Sequence, residues 1–369
     1  MSRAGKKNLK KFALNIIVCS VILFVALELF FRFVMPASEW PRSIVNESGV
    51  RQFDPNYLST GYWTYGRYCE GHFLWSINSQ GWNSIYDYRT STYRETPMVA
   101  ILGDSYLQGF YSDVDKHIDV YLTEQFQDSV SFYTFAMASG ILSQYIAWMK
   151  YEIDQYSPDA FIIFVNSQDV LGSFREIGER HPFYYQYSCD SAGMYTELAP
   201  ITSDNVSNGM LLFVKDVAQS SAFFRYLRSN AQITSTGGGV RDENANFVEG
   251  GVESSQISQL ENIDLAYFLL SEISSFGKPV LIVADCPKHW IYNDTPEIVW
   301  DDIAILIEAA TMYSNITVFE LKNVYISAYN KDGRMFSVKN NPHWDAYTNR
   351  LVARGISDSV CELLAQSIK

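Results

Sequence analysis

The sequence predicts an α/β protein built on a central, mostly parallel five-stranded sheet, preceded by an N-terminal transmembrane helix. Three observations lead there. Five strand-length apolar runs rich in β-branched and aromatic residues lie between residues 97 and 321. Helical patterns separate them, and alternating strands and helices imply a parallel sheet with helices on both faces. A long apolar run, Phe12 to Met35, follows a basic N-terminus.

The N-terminal run comes first in the chain. Arg3, Lys6, Lys7, Lys10 and Lys11 precede it, and only Asn15, Glu28 and Arg32 interrupt it with clear polarity. Its length fits a bilayer-spanning helix of about 20 residues. Glu28 and Arg32 are four apart, able to pair on one helical face, and Pro36 stops the helix. A cleavable leader would have a shorter apolar core and a small-residue cleavage site, which Met35-Pro36-Ala37-Ser38 does not supply. An uncleaved signal anchor is therefore expected over residues 1–36. The basic end would be cytoplasmic and everything beyond residue 37 outside the cytoplasm, periplasmic or extracellular. The lipid bilayer is the partner expected for residues 12–35.

Residues 37–95 are rich in Tyr and Trp without clear periodicity and read as an irregular lead-in packing on a main domain, residues 96–369. That domain's strands are expected at Pro97–Leu102, Ser131–Ala136, Ala160–Val165, Pro279–Ala284 and Ile316–Leu321. Its helices are expected at about 117–128, 141–156, 256–276, 298–313 and 345–367. Between about 172 and 255 the rhythm breaks. That stretch holds a Tyr cluster (Phe183 to Tyr187), an apolar patch (Met210 to Val214), a helix candidate (Ser221 to Arg228) and a glycine run (Gly237 to Gly239). It reads as an insertion over the site.

Charge narrows the function classes. The chain carries −13, and without its first 36 residues it keeps 22 basic and 40 acidic residues, a net −18. Such a body repels phosphate backbones, so a nucleic-acid partner is not expected. Aromatics make up 15% of residues, and core packing accounts for them better than a sugar-stacking surface. Cys69, Cys189, Cys286 and Cys361 lie beyond the span. They allow three pairings if two disulfides form, or stand as four buried free thiols. None has metal-ligand spacing, and neither metal nor cofactor is expected.

The chemistry-bearing residues follow the first strand. Gly103-Asp104-Ser105-Tyr106 puts a serine in a tight turn between strand and helix, where such folds present nucleophiles. Read alone, the turn is equally a helix cap. His343-Trp344 opens the last helix, and an imidazole there is a candidate base. His72, His117, His181 and His289 lack such context and read as structural.

Taken in order, these segments resemble the SGNH (GDSL-like) hydrolases, in their membrane-anchored, envelope-associated branch, over roughly 70–170 and 278–367. Leu102-Gly103-Asp104-Ser105 resembles the block carrying the nucleophile. Ala138-Ser139-Gly140 resembles the second block, whose Gly supplies an oxyanion-hole N–H. Ser157-Pro158-Asp159 and the strand after it lead to Asn166-Ser167-Gln168-Asp169 in the third block's place. His343-Trp344 resembles the last block, and Asn78-Ser79-Gln80-Gly81 a lead-in common in this branch. The resemblance implies a three-layer, flavodoxin-like SGNH fold. It also implies Ser105 as nucleophile, His343 as base, and an oxyanion hole of Ser105, Gly140 and Gln168, with Asn166 the alternative amide. Asp104 would support the nucleophile turn, and Asp169 would order its own loop.

The sequence departs from that pattern where the family's Asp precedes its His: the two positions are Asn340 and Asn341. Asparagine orients an imidazole without balancing its charge. Three readings follow: a Ser-His dyad, a substitute carboxylate from Asp345 or Asp332, or weak or lost activity. The function implied is acyl-ester hydrolysis or O-acyl (acetyl) transfer on a cell-envelope or secreted polysaccharide, beside other envelope polysaccharide-biosynthesis proteins. The alternatives are a lipid or thioester hydrolase and a non-catalytic assembly subunit of a polysaccharide machine.

Overall fold

In a computed structural model of the chain, five strands form one wholly parallel sheet: β5 (Met98–Gly103), β6 (Ser131–Ala136), β7 (Ala160–Val165), β10 (Val280–Ala284) and β11 (Ile316–Glu320). Their order is β11-β10-β7-β5-β6. The structure describes residues 3–177, 183–190, 193–200, 218–231, 259–293, 300–338 and 341–367. The chain forms two compact units. One holds Met1–Trp40, Gly61–Phe73 and the described part of Asp204–Ala245; the other holds the sheet.

Every residue of β5, β7 and β10 is buried, which is why they read as unbroken apolar runs: both sheet faces are covered. Alternate side chains serve opposite faces. Val99, Ile101, Ile162, Phe164, Leu281 and Val283 share one cluster with α3 (Ile118–Gln125), α9 (Lys322–Asp332) and α10 (Ala346–Ser367). On the other side α6 (Gln259–Ser274) packs on α4 (Leu142–Trp148) and on α8 (Asp301–Ala310). This is a three-layer α/β arrangement. The strands and long helices fall within a few residues of the sequence-based expectation. The exceptions are α9 and the short α2 (Ser105–Gln108) and α7 (Lys288–Tyr292), whose turns are too short or too polar to give a clear helical period.

The lead-in is more ordered than its composition suggests. Small antiparallel pairs form, β1 (Ser43–Val45) with β2 (Arg51–Phe53) and β3 (Thr60–Tyr65) with β4 (Gly71–Ser76). Within the sheet-bearing unit, Asn78 organises a turn by accepting from the Gln80 and Trp82 N–H groups. Gly81 sits at φ +85°, and a Cβ there would lie 2.4 Å from the Phe53 carbonyl oxygen, so only glycine fits. The turn delivers Trp82 into the core against Trp148 and Phe135. It also sets Asn83 to donate to the Gln108 carbonyl at 2.8 Å, tying the lead-in to the helix that carries Ser105.

In the N-terminal unit, α1 (Arg3–Leu29) continues to Val34 in wider turns. The stretch Lys10–Phe33 is long and apolar enough to cross a membrane. Glu28 and Arg32 pair as their spacing predicts, and both also reach the Ser220–Phe223 segment. The Ser221–Arg228 helix candidate appears as α5 (Ala222–Arg225) followed by a wider turn to Asn230. Asn230 cross-links the unit, donating to the Thr64 and Gly66 carbonyls and accepting from the Ser38 N–H. The sequence-based division placed 61–73 in the lead-in and 218–231 in the insertion; by compactness both group with α1.

Elsewhere in the 172–255 stretch, β8 (Gln186–Cys189) pairs with β9 (Tyr195–Leu198), and Tyr184, Tyr185 and Tyr187 are buried. Met210–Val214 and Gly237–Gly239 lie outside the described residues, as does His181. The cysteines are all free thiols, and neither disulfides nor four buried thiols result: of the four beyond the span, only Cys286 is buried.

One buried carboxyl has a measurable cost. Asp119 in α3 accepts from the Ser84 hydroxyl through Oδ2 at 3.3 Å, and burial pushes its pKa up to about 7. The folded protein holds that proton to about pH 7, whereas an unfolded aspartate loses it near 4, so stability falls as pH rises through that window. Asp119→Asn is expected to raise the melting temperature at pH 8 and to change it little at pH 4; thermal unfolding at both pH values checks this.

Candidate active site

The carboxyl ends of β5, β6, β7 and β10 converge, and each contributes a loop. After β5, Asp104 leaves the extended region and caps α2 by accepting the Tyr106 N–H at 3.0 Å. This sharp strand-to-helix turn sets Ser105 at the head of α2, 9% exposed. Gly103 leaves room for the Leu107 side chain, which a Cβ would meet at 2.6 Å.

His343 arrives from the loop before α10, 238 positions away in sequence, and its Nε2 lies 2.8 Å from Ser105 Oγ. The imidazole is 4% exposed. Its Nδ1 meets Asn341 Oδ1 at 2.6 Å, and the same oxygen accepts the His343 backbone N–H at 2.9 Å. An amide oxygen only accepts, so Nδ1 carries the proton and Nε2 presents its lone pair to the serine hydroxyl. That is the tautomer a base needs.

Among the orienting candidates that are described, Asn341 is the one that meets the ring. Asp345 instead takes Arg334 at 3.0 Å and caps α10 through the Thr348 N–H and hydroxyl. Asp332 receives the Tyr347 hydroxyl. Asn340 lies outside the described residues.

The two amide candidates after β7 take different places. Asn166, directly after β7, donates its Nδ2 to Asp104 Oδ2 at 2.7 Å and so reaches the nucleophile turn. Gln168, the favoured candidate on sequence grounds, is exposed and left-handed at φ +76°, its backbone N–H held by the buried Asp302 at 2.7 Å. The reason is local: the strand ends at Val165, so the first residue past it faces the turn and the third has already curled away. Asp169 orders this loop by accepting the Asn166 N–H at 2.9 Å, and burial beside Asp104 raises its pKa well above the carboxylate range. After β6, Ser139 is left-handed at φ +60°, and the Gly140 N–H donates to the Met137 carbonyl at 3.0 Å.

Several residues of the site escaped the sequence reading. Tyr111 stacks on the imidazole, ring centroids 4.3 Å apart and 15° from parallel, and Tyr106 stacks at 5.0 Å. Lys288, four residues past β10, pairs with Asp285 at 2.7 Å, the two side chains 9% and 7% exposed. Its ammonium lies over the rings of Tyr106, Tyr325 and Trp344. Position at the end of a central strand is the signal that could have found Asp285 and Lys288. Nothing in the spacing marked the tyrosines.

The electrostatics oppose a charged imidazole. Burial and, second, the Lys288 ammonium press the His343 pKa down to about 3. The base form is therefore present across the whole mildly acidic range.

No protein-family model matches the chain, and no curated protein does. Among solved structures, the chain is similar to an acetyl xylan esterase, AlAXEase (12% identity, 71% of this chain and 99% of that one, TM-score 0.39). It is also similar to a carbohydrate esterase family 2 enzyme with a carbohydrate-binding domain from Corynascus thermopiles (Myceliophthora fergusii) (10%, 76% and 69%, TM-score 0.38). A third is a lipase/acylhydrolase from Enterococcus faecalis (11%, 72% and 97%, TM-score 0.35).

The His343 imidazole is expected to keep the nitrogen chemical shifts of a neutral, Nδ1-protonated ring down to pH 5. In the charge-neutral pair Lys288→Met/Asp285→Asn its pKa is expected to move upward. A pH titration by 15N NMR checks both; a wild-type midpoint near 6.5 would contradict the first.

Proposed function

We propose that the protein is a serine acyl-ester hydrolase or O-acyltransferase of SGNH type. The observation that carries this reading is the Ser105 Oγ–His343 Nε2 contact of 2.8 Å, with Nδ1 fixed on Asn341. Nε2 takes the Ser105 proton as Oγ bonds to the ester carbonyl carbon. The carbonyl oxygen becomes an oxyanion. The Ser105 N–H and the second amide hydrogen of Asn166 serve it, with the Gly140 N–H forking from Met137. Collapse expels the alcohol, which takes the proton from Nε2. Water then returns a carboxylic acid, or a second hydroxyl accepts the acyl group, by the same steps in reverse.

The side chain that holds Nδ1 is an amide and brings no charge to balance the imidazolium formed midway. The tyrosine faces of Tyr111 and Tyr106 support it instead, since a cation on an aromatic face gains about 0.5–2 kcal/mol. Ser105 and His343 expose so little surface that a small acyl group, such as acetyl, suits the site better than a lipid chain. Residues 12–35 are read as the bilayer span, with the basic end cytoplasmic and the site outside. That placement favours a cell-envelope or secreted polysaccharide as the acyl carrier. The asparagine at 341 and the nearby Lys288 favour a second reading, a non-catalytic assembly subunit that kept the fold.

A fluorophosphonate is expected to label Ser105, and turnover of a small acetyl ester is expected to fall at least 10³-fold in Ser105→Ala. Asn341→Asp is expected to raise turnover tenfold or more, because a carboxylate would balance the imidazolium. Equal turnover by wild type and Ser105→Ala would end the catalytic reading and leave the assembly subunit.

A further inference from the structure

The contacts that Glu28 makes within the N-terminal unit set the depth of a second segment. Its carboxylate accepts the Ser221 hydroxyl at 2.8 Å and the Ala222 and Phe223 N–H groups at 3.0 and 3.1 Å. These N–H groups open α5 and have no partner within the helix. Arg32 pairs with the same carboxylate and donates to the Ser220 carbonyl at 3.0 Å. Two charges inside an apolar run thus neutralise each other and satisfy the backbone of a neighbouring segment. A low-dielectric setting demands this, since an unpaired backbone group in hydrocarbon costs several kcal/mol.

The aromatic contacts fix the level. Phe224 lies against Phe24 with centroids 5.9 Å apart, Phe223 against Phe24 and Phe31 at 6.0 Å each, and Tyr226 stacks on Phe31 at 3.9 Å. Counted from Phe12 at 1.5 Å per residue, a hydrocarbon core of about 30 Å ends near Arg32. Phe24 then lies about 12 Å inside that edge, and Glu28 about 6 Å inside. Phe224 is 43% exposed at this level, and on the anchor helix Phe24, against which it lies, is 39% exposed.

We propose that Ser220–Asn230 is a second membrane-contacting element. It dips into the outer leaflet beside the anchor, with Phe224 and Phe223 among the acyl chains and Glu28–Arg32 as the polar latch that holds it there. The occupant of the exposed aromatic face is lipid, because that face is continuous with the span and reaches deeper than the headgroups. The proposal rests on residues 12–35 spanning the bilayer.

The test places p-benzoylphenylalanine singly at positions 16, 224 and 312 of the full chain in phosphatidylcholine vesicles and reads lipid adducts by mass after illumination. Ile16 lies within the span, about 6 Å from its inner edge, and Met312 is an exposed residue (71%) of the sheet-bearing unit. The adduct yield at 224 is expected to approach that at 16 and to exceed that at 312 at least tenfold. Adding Glu28→Ala is expected to lower the yield at 224 threefold or more while leaving 16 unchanged, and Glu28→Gln, which keeps one acceptor oxygen, falls between. A yield at 224 no higher than at 312, with strong adducts at 16, overturns the proposal and leaves the span intact. Absence of adducts at 16 as well overturns the span reading and the proposal together.

Discussion

The hydrogen bond between Ser105 and His343 is the constraint on which the site depends. It joins two loops 238 positions apart and tolerates little error, because a base acts on a hydroxyl only within about 2.6–3.2 Å. The fold meets that demand by rigidity at both ends. Ser105 is fixed by a buried strand, a capped short helix and the Asn83 anchor from the lead-in. His343 is fixed by its own loop turn on Asn341 and by Trp344, buried in the core cluster between the sheet and α10. Neither partner sits on a free loop, which keeps the reactive geometry independent of surface motion.

Around that bond the electrostatic design differs from a carboxylate-backed triad. The imidazole faces an amide, two tyrosine rings and a buried lysine paired to aspartate. Burial and the Lys288 ammonium favour the neutral ring, and the tyrosine faces favour the charged one. In the proposed mechanism such a site would keep its base unprotonated in acid at the expense of transition-state stabilisation. That trade separates the presence of the catalytic constellation from its efficiency.

The N-terminal unit solves a different problem with similar means. A charged pair in an apolar helix would be costly alone, but Glu28 and Arg32 spend their hydrogen bonds on the backbone of Ser220–Phe223. Asn230 then ties the far end of that segment to the Ser38 and Thr64 strands of chain around it. The i, i+4 spacing announced the pair, but not the segment it serves, which lies almost two hundred positions away.

The amino-acid sequence by itself determined the sheet, the long helices, the apolar N-terminal helix, and which serine and histidine to look for together. These are signals of period and position: buried strands read as apolar runs, and a serine after such a run stands at a strand's carboxyl end. Tertiary structure alone decided that Asn166 rather than Gln168 meets the nucleophile turn, since the choice depends on where β7 stops and how the chain curls after it. It alone showed that Asn341 rather than Asp345 orients His343, and that Tyr106, Tyr111 and Lys288 surround the ring. The physical reason is common to these cases. Orientation of a side chain toward a distant partner is a property of packing, and packing leaves no period in the chain.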